Sequence, residues 1–343
     1  MSMRLGILTS GGDCPGLNAV IRGAVLQGTR AYEDEFIGFR DGWRGVMQRD
    51  HLPLDWRAVR GLNRRGGTVL GTSRTNPFAD GMDDPTVYTA LAEAGVDALI
   101  AIGGEGTLSV AAELQRGGVN VIGVPKTIDN DLSATDYSFG FDTAVEVATE
   151  AIDRIQTSGE AHHRCMVVEV MGRNAGWIAL HAGLASSAHA ILIPEVKVSI
   201  KQICSWMEST RDRGRTPLAV AAEGFSLDTM DTPHHRHGLD TFGRPRLGGI
   251  GDVLSTLIED NTGIETRSTT LGYIQRGAVP TAFDRVLATR VGMAAVRSAH
   301  EGNWGTMVAI HGTDLVNVPL DDAVAELKTV PASRYDEVLT LLG

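Results

Sequence analysis

Residues 97–132 read "DALIAIGGEGTLSVAAELQRGGVNVIGVPKTIDNDL". Two apolar runs, at 97–103 and 119–124, each stop abruptly. The first gives way to Gly-Gly-Glu-Gly-Thr, the second to Pro-Lys-Thr-Ile-Asp-Asn-Asp. Apolar runs this short, with no polar alternation, fit strands of a parallel sheet covered on both faces. Between them, 107–118 has the spacing of an amphipathic helix. The stretch is therefore a strand–helix–strand unit whose strands end in glycines and carboxylates. In such sheets ligands sit beyond the carboxyl ends of the strands, so those polar endings mark candidate chemistry.

The rest of the chain repeats the rhythm. Further strands are expected at 4–10, 165–172, 190–195, 217–223, 268–274 and 305–312, and helices over 16–32, 143–159 and 283–302. The alternation predicts an α/β fold, and 343 residues suffice for roughly two domains. One segment breaks the pattern. Residues 227–248, "LDTMDTPHHRHGLDTFGRPRLG", are polar and rich in turn formers, so a long surface loop is expected, with "HHRH" solvated rather than metal-bound.

The formal net charge of −11 argues against nucleic acid as a partner. Only Lys126, Lys197, Lys201 and Lys328 are lysines among 31 basic residues, so an anion site must use arginine forks, backbone N–H groups or Lys126. Cys14, Cys165 and Cys204 are odd in number and widely spaced with no CxxC, which weighs against a zinc site or disulfide framework. The start, "MSMRLGILTSGG", has no secretory h-region, and no apolar run approaches membrane-spanning length, so a soluble cytoplasmic protein is expected, without a membrane partner.

The endings carry the chemistry. "ILTSGGDCPGLNAVIRGAV" (7–25) runs from a strand through glycines into a helix, which lets backbone N–H groups approach an anion. It is not a Walker A loop, and no G-x-G-x-x-G occurs, which weighs against a dinucleotide dehydrogenase. In "GGEGTL" (103–108), Glu105 beside a phosphate loop would be repulsive unless Mg²⁺ intervened. In "PKTIDNDL" (125–132) an extended chain would point Thr127, Asp129 and Asp131 to one side. One carboxylate could then orient a metal while another took a hydroxyl proton during phosphoryl transfer. Arg173, Glu223, Arg267 and Arg276 fall near other strand ends, where guanidinium forks suit phosphate.

Taken together, "ILTSGGDCPGLNAVIRG", "RGGTVLGTSR", "IGGEGTL", "PKTIDNDL", "VEVMGRNAGW" and "LGYIQRG" resemble the 6-phosphofructokinase family over nearly the whole chain and in the family's order. The resemblance implies two Rossmann-like three-layer αβα domains with mainly parallel sheets and the active site between them. The larger, nucleotide-binding domain would comprise 1–139 plus 275–325. The smaller, fructose 6-phosphate-binding domain would comprise 140–274 plus 326–343. It also implies a homotetramer or homodimer with shared active sites. Carried over by motif, Gly12, Arg74, Thr75, Gly104, Glu105, Gly106 and Thr107 would bind ATP, with Glu105, where the family usually has Asp, on Mg²⁺. Asp129 would be the general base, with Thr127, Asp131 and Arg173 as its catalytic partners. Thr127, Ile128, Asp129, Met171, Gly172, Arg173, Glu223, Tyr273, Ile274, Gln275 and Arg276 would bind the sugar phosphate. Arg164 and Arg267 would reach its 6-phosphate from a neighbouring subunit. Tyr273 stands where the family often has His.

Donor choice pulls two ways in that resemblance. Glycine at 106 goes with ATP use, because an aspartate there would fill and repel the α-phosphate. Lys126 instead resembles the pyrophosphate-using branch, and 227–248 resembles a branch containing both donor types. ATP is the expected donor, pyrophosphate the alternative and a non-catalytic sugar-phosphate sensor a third reading. Arg22 matches a basic effector-site position of the family, whereas Leu26, Trp56 and Gln156 replace others, so the resemblance does not extend to the family's full effector site.

Overall fold

The computed structural model describes residues 1–79, 85–239 and 245–342. In chain order its elements are β1 (Arg4–Thr9), α1 (Leu17–Ala31), β2 (Glu35–Phe39), α2 (Trp43–Gln48), β3 (His51–Pro53), α3 (Pro85–Glu93), β4 (Ala98–Gly103), α4 (Glu105–Arg116), β5 (Val121–Pro125), α5 (Phe141–His162), β6 (Cys165–Val170) and α6 (Trp177–Ala185). There follow β7 (Ala190–Leu192), α7 (Ile200–Asp212), β8 (Leu218–Ala222), β9 (His235–Leu239), β10 (Pro245–Leu247), α8 (Ile250–Thr262), β11 (Thr266–Thr270), α9 (Ala282–His300), β12 (Thr306–His311), β13 (Asp314–Pro319), α10 (Leu320–Ala325) and α11 (Ala332–Leu339).

The chain divides into two compact units. Unit 1 comprises 1–128, 132–143 and 276–327; unit 2 comprises 129–131, 144–275 and 328–343. Unit 1 holds a seven-stranded sheet in the order β13-β12-β5-β4-β1-β2-β3. Its inner pairs are parallel, and β3 and β13 close the two edges antiparallel. All six residues of β4 are buried, as a strand covered on both faces requires. The core on one face gathers Leu8, Phe39, Trp43, Leu99, Leu108 and Met307. On α1 and α9 the helices touch through glycines. A Cβ at Gly23 would lie 2.5 Å from the Thr289 carbonyl, and one at Gly292 2.3 Å from that of Val20.

Unit 2 holds a four-stranded, all-parallel sheet, β11-β6-β8-β7. Val167, Leu192, Met207, Phe225, Leu254 and Ile258 form its core. Two expectations are corrected here. The strand expected at 268–274 is β11, which ends at Thr270, because Gly272 turns left-handed (φ 53°) into a 3₁₀ turn over Gly272–Gln275. The polar segment 227–248 is not merely a loop: β9 and β10 pair antiparallel within it. The part of that expectation covering 240–244 lies outside the described residues.

Where α5 begins, buried groups from α9 cap it. The Thr143 amide and hydroxyl both donate to Asp284 Oδ2, at 2.8 and 2.5 Å. In return Thr281 caps α9 by accepting from the Asp284 amide and donates its hydroxyl to Asp142 Oδ2 at 2.6 Å. Asp284 is fully buried, and burial pushes its carboxyl up to about 6, against the opposing pull of the Thr143 bonds. A carboxyl raised in the native state holds its proton more tightly folded than unfolded. Its stabilising contribution is therefore complete below the ordinary carboxyl range and is lost as pH climbs through about 6. Between pH 4 and pH 7 the wild type should lose about 2 kcal/mol relative to Asp284→Asn. Urea unfolding of both proteins at the two pH values measures this, and parallel pH profiles would refute it.

Candidate functional site

In unit 1, β1 lies beside β4 on one side and β2 on the other, so the chain reverses its winding direction there. At such a point the loops leaving adjacent strands diverge and open a crevice. The loop after β1 and the first turn of α4 both lie at it. Gly11 N donates to the Ser73 carbonyl at 2.9 Å, and Thr72 Oγ1 donates to the Gly11 carbonyl at 2.6 Å. Ser10 Oγ adds a bond to the Ser73 carbonyl at 3.1 Å. Thus the segment carrying exposed Arg74 and half-buried Thr75 is laced to the glycine turn.

Positive groups line the same turn. A Cβ on Gly11 would sit 3.5 Å from Lys126 Nζ and 3.7 Å from Thr107 Oγ1. Lys126 is 4% exposed, an unusual depth for a lysine. A Cβ on Gly12 would sit 2.8 Å from Arg276 Nη1, which donates to the Asp13 carbonyl at 3.0 Å. Gly104 precedes α4 without a side-chain cap, and while the Thr107 amide donates to the Gly104 carbonyl at 3.0 Å, the Glu105 and Gly106 N–H groups lie at the helix start where an anion can be met. Glu105 and Gly106 are exposed on that turn, and a Cβ on Gly106 would meet nothing within 4 Å. Cys14 shares this loop but is no nucleophile, since burial pushes its thiol far up.

In unit 2 the candidate sugar residues follow three neighbouring strands. Met171, Gly172 and Arg173 follow β6, Glu223 follows β8, and Tyr273–Gln275 follow β11. Glu223 N donates to the Val170 carbonyl at 2.8 Å and Gly224 N to that of Gly172 at 3.1 Å, which holds the first two loops together. Gly172 has φ 138°, and a Cβ there would lie 2.7 Å from the Ala175 carbonyl, so only glycine makes this turn. Tyr273 is 79% exposed, Ile274 is also exposed, and Gln275 is fully buried.

Arg164 and Arg267 are not brought to this edge. Arg164 immediately precedes β6, and Arg267 lies near the start of β11. Both bind Glu265, Arg164 at 2.9 Å and Arg267 at 2.5 Å. A six-residue strand such as β6 spans about 20 Å. The two arginines therefore sit at the sheet's amino edge, a strand length from Met171 and Glu223.

The acidic segment after β5 departs from the expected extended course. Ile128 and Asp129 form a bend, and Asn130 is left-handed at φ 51°. The in/out alternation survives the bend. Ile128, Asn130 and Leu132 are buried, whereas Thr127, Asp129 and Asp131 are half-buried. Within unit 2 the Asp131 carbonyl accepts from Lys328 N at 2.9 Å.

Among the described residues no three His, Cys, Asp or Glu side chains form a ready-made metal cage. Mg²⁺ arriving with phosphates needs only one or two carboxylates, and exposed Glu105 fits that lesser role. The sequence reading missed Glu169, which is 1% exposed and takes N–H bonds from Gly249 and Gly251 at 2.9 Å each, anchoring the start of α8 behind the Met171 loop. Its signal was available: a lone acid inside the buried run "CMVVEV" requires a partner. Near the expected effector positions, Arg22 and Leu26 line a pocket of about 370 Å³ on α1 and α9 with Arg30 and Met293, and Trp56 is exposed.

Comparison with known proteins identifies the family and the fold. The phosphofructokinase family model matches residues 4–299. A pyrophosphate–fructose 6-phosphate 1-phosphotransferase of Streptomyces coelicolor is 55% identical, covering 99% of this chain and 100% of that protein. An ATP-dependent 6-phosphofructokinase 3 of the same organism is 50% identical, covering 99% and 100%. The structure is also similar to the Pichia pastoris phosphofructokinase in its T-state, with a TM-score of 0.82 at 30% identity, covering 99% of this chain and 36% of that one. A pyrophosphate-dependent phosphofructokinase from Nitrosospira multiformis shares the fold with a TM-score of 0.85 at 22% identity, covering 97% and 87%. With its family model spanning most of its length and its fold matched, the chain belongs to the phosphofructokinase family, α/β phosphotransferases that act on a hydroxyl acceptor.

Proposed function

We propose that the protein is an ATP-dependent 6-phosphofructokinase. It moves the γ-phosphoryl group of MgATP to the 1-hydroxyl of D-fructose 6-phosphate, as a step of cytoplasmic glycolysis. The observation that carries the donor choice is the open space at Gly106, where an added Cβ would meet nothing within 4 Å. Relatives named for pyrophosphate and for ATP both align over nearly the full chain, at 55% and 50% identity, so the reading rests on this local volume rather than on overall similarity. Pyrophosphate is the second reading, favoured by the buried Lys126 beside the Gly11 turn, which suits a compact polyphosphate as well as a nucleotide.

In this reading unit 1 takes the donor. Gly12, Arg74, Thr75 and the turn from Gly104 to Thr107 hold its phosphates, and Glu105 carries the metal. Unit 2 takes the sugar phosphate through Met171, Gly172, Arg173, Glu223 and Tyr273. Donor and acceptor are both anions, so arginines and the lysine must cancel their repulsion before chemistry begins. Bound Mg²⁺ would neutralise charge on the donor phosphates. Asp129 accepts the hydroxyl proton late in the transfer, with Thr127 and Asp131 beside it, and Arg173 steadies the moving phosphoryl group. Arg164 and Arg267 serve the 6-phosphate of a neighbouring subunit in a homodimer or homotetramer. Their position at the amino edge of their own sheet, paired through Glu265, supports this.

Separate assays with MgATP and pyrophosphate test the donor. Turnover with MgATP is expected, and turnover with pyrophosphate alone would refute the assignment. Gly106→Asp should fold normally, because the position is exposed and a Cβ there meets nothing within 4 Å, yet lose at least ~10²-fold in kcat/KM for ATP through repulsion at the phosphates. Asp129→Ser should lower kcat by at least ~10² with a much smaller change in KM for fructose 6-phosphate. Near-normal turnover would remove Asp129 from the role of base.

A further inference from the structure

We infer that Gln275 is a positioning residue that sets the geometry of the sugar-phosphate pocket without touching the sugar. This rests on the reading that the loops after β6 and β11 hold fructose 6-phosphate. The side chain has no solvent exposure. Its Oε1 accepts from the Met171 amide at 3.3 Å, and its Nε2 donates to the Gly272 carbonyl at 3.0 Å. Both ends of the amide are thus engaged inside the protein, and complete burial keeps the remaining lone pair and N–H away from a ligand.

Those two bonds tie two loops that need a tie. Met171 is the first residue beyond β6, and Gly172 at once turns the chain away with φ 138°, so the Met171 amide has left the ladder. The Gly272–Gln275 element is one 3₁₀ turn, too short to hold itself in place. β6 and β11 are adjacent and in parallel register through Glu169 and Thr270. The sheet therefore fixes the two strands, but not the loops that continue from them. One planar amide spans the gap and sets the distance from the Met171–Arg173 loop to exposed Tyr273 and Ile274. A glutamine does this because it offers an acceptor to an N–H and a donor to a carbonyl at opposite edges of one group. Methionine offers neither, and ionised glutamate offers two acceptors.

The test uses the full-length protein with both substrates. Gln275→Met keeps length and apolar bulk and removes both bonds. It should raise KM for fructose 6-phosphate on the order of tenfold, while kcat and the donor KM stay within about twofold. Gln275→Glu keeps the acceptor for Met171 but sets a carboxylate against the Gly272 carbonyl. Its KM for fructose 6-phosphate should also rise at pH 8 and recover toward pH 6 as the carboxyl gains a donating proton, a recovery absent from Gln275→Met. Unchanged sugar KM in a folded variant overturns the proposal. So does an equal loss for both substrates, or identical pH profiles for the two variants. If Gln275→Met does not fold, the pH profile of Gln275→Glu decides alone. Failure of the functional reading shows separately, as absence of fructose 6-phosphate turnover by the wild type with either donor.

Discussion

A strand buried on both faces can present polar chemistry only where it ends. In unit 1, β4 is buried at every residue, and in unit 2 so are β6 and β8. A charged or hydrogen-bonding group along such a strand is desolvated and needs an internal partner, as Glu169 of β6 has in the Gly249 and Gly251 amides. The polar residues therefore collect at the termini, and the parallel arrangement brings termini of one kind to one edge. The glycine turn after β1, the first turn of α4 and Lys126 after β5 meet at unit 1's carboxyl edge for that reason. The loops carrying Met171, Glu223 and Tyr273 do the same in unit 2.

The same constraint separates groups that a motif reading puts in one list. Arg164 and Arg267 stand among the sugar-phosphate residues of the family pattern, yet they flank the amino end of unit 2's sheet, around Glu265. A rigid strand cannot fold back on itself to bring them to Met171. A phosphate served by all of these residues would have to recruit them from two copies of the chain. Shared active sites would then follow from sheet geometry.

Buried and half-buried carboxylates do structural work in both units. Glu169 takes the amides at the start of α8, Glu195 takes those of Gly176 and Val330, and Asp284 caps α5. Each supplies acceptors to N–H groups that helix starts and loop turns leave unpaired. Each fixes one segment: the start of α8, the chain around Val330 and the start of α5. The acidic balance of the composition is thus spent partly on internal scaffolding.

The sequence by itself determined the strand–helix alternation, most of the strands, and the endings on which the glycines and acids fall. These are local matters: an apolar run of that length has few other fates, and Gly-Gly-Glu-Gly-Thr after such a run is a turn before a helix. It also exposed the family through six ordered motifs. Tertiary structure alone decided the rest. The left-handed Gly272 ended β11 early, and the pairing of β9 with β10 depended on a partner strand rather than on local polarity. The bend at Ile128–Asp129 replaced an extended chain, although burial still alternates around Asp129. The depth of Lys126, the internal bonds of Gln275 and the placement of Arg164 at the far edge depend on residues distant in sequence. Side-chain burial and bonding partners are properties of packing, which no short stretch of sequence encodes.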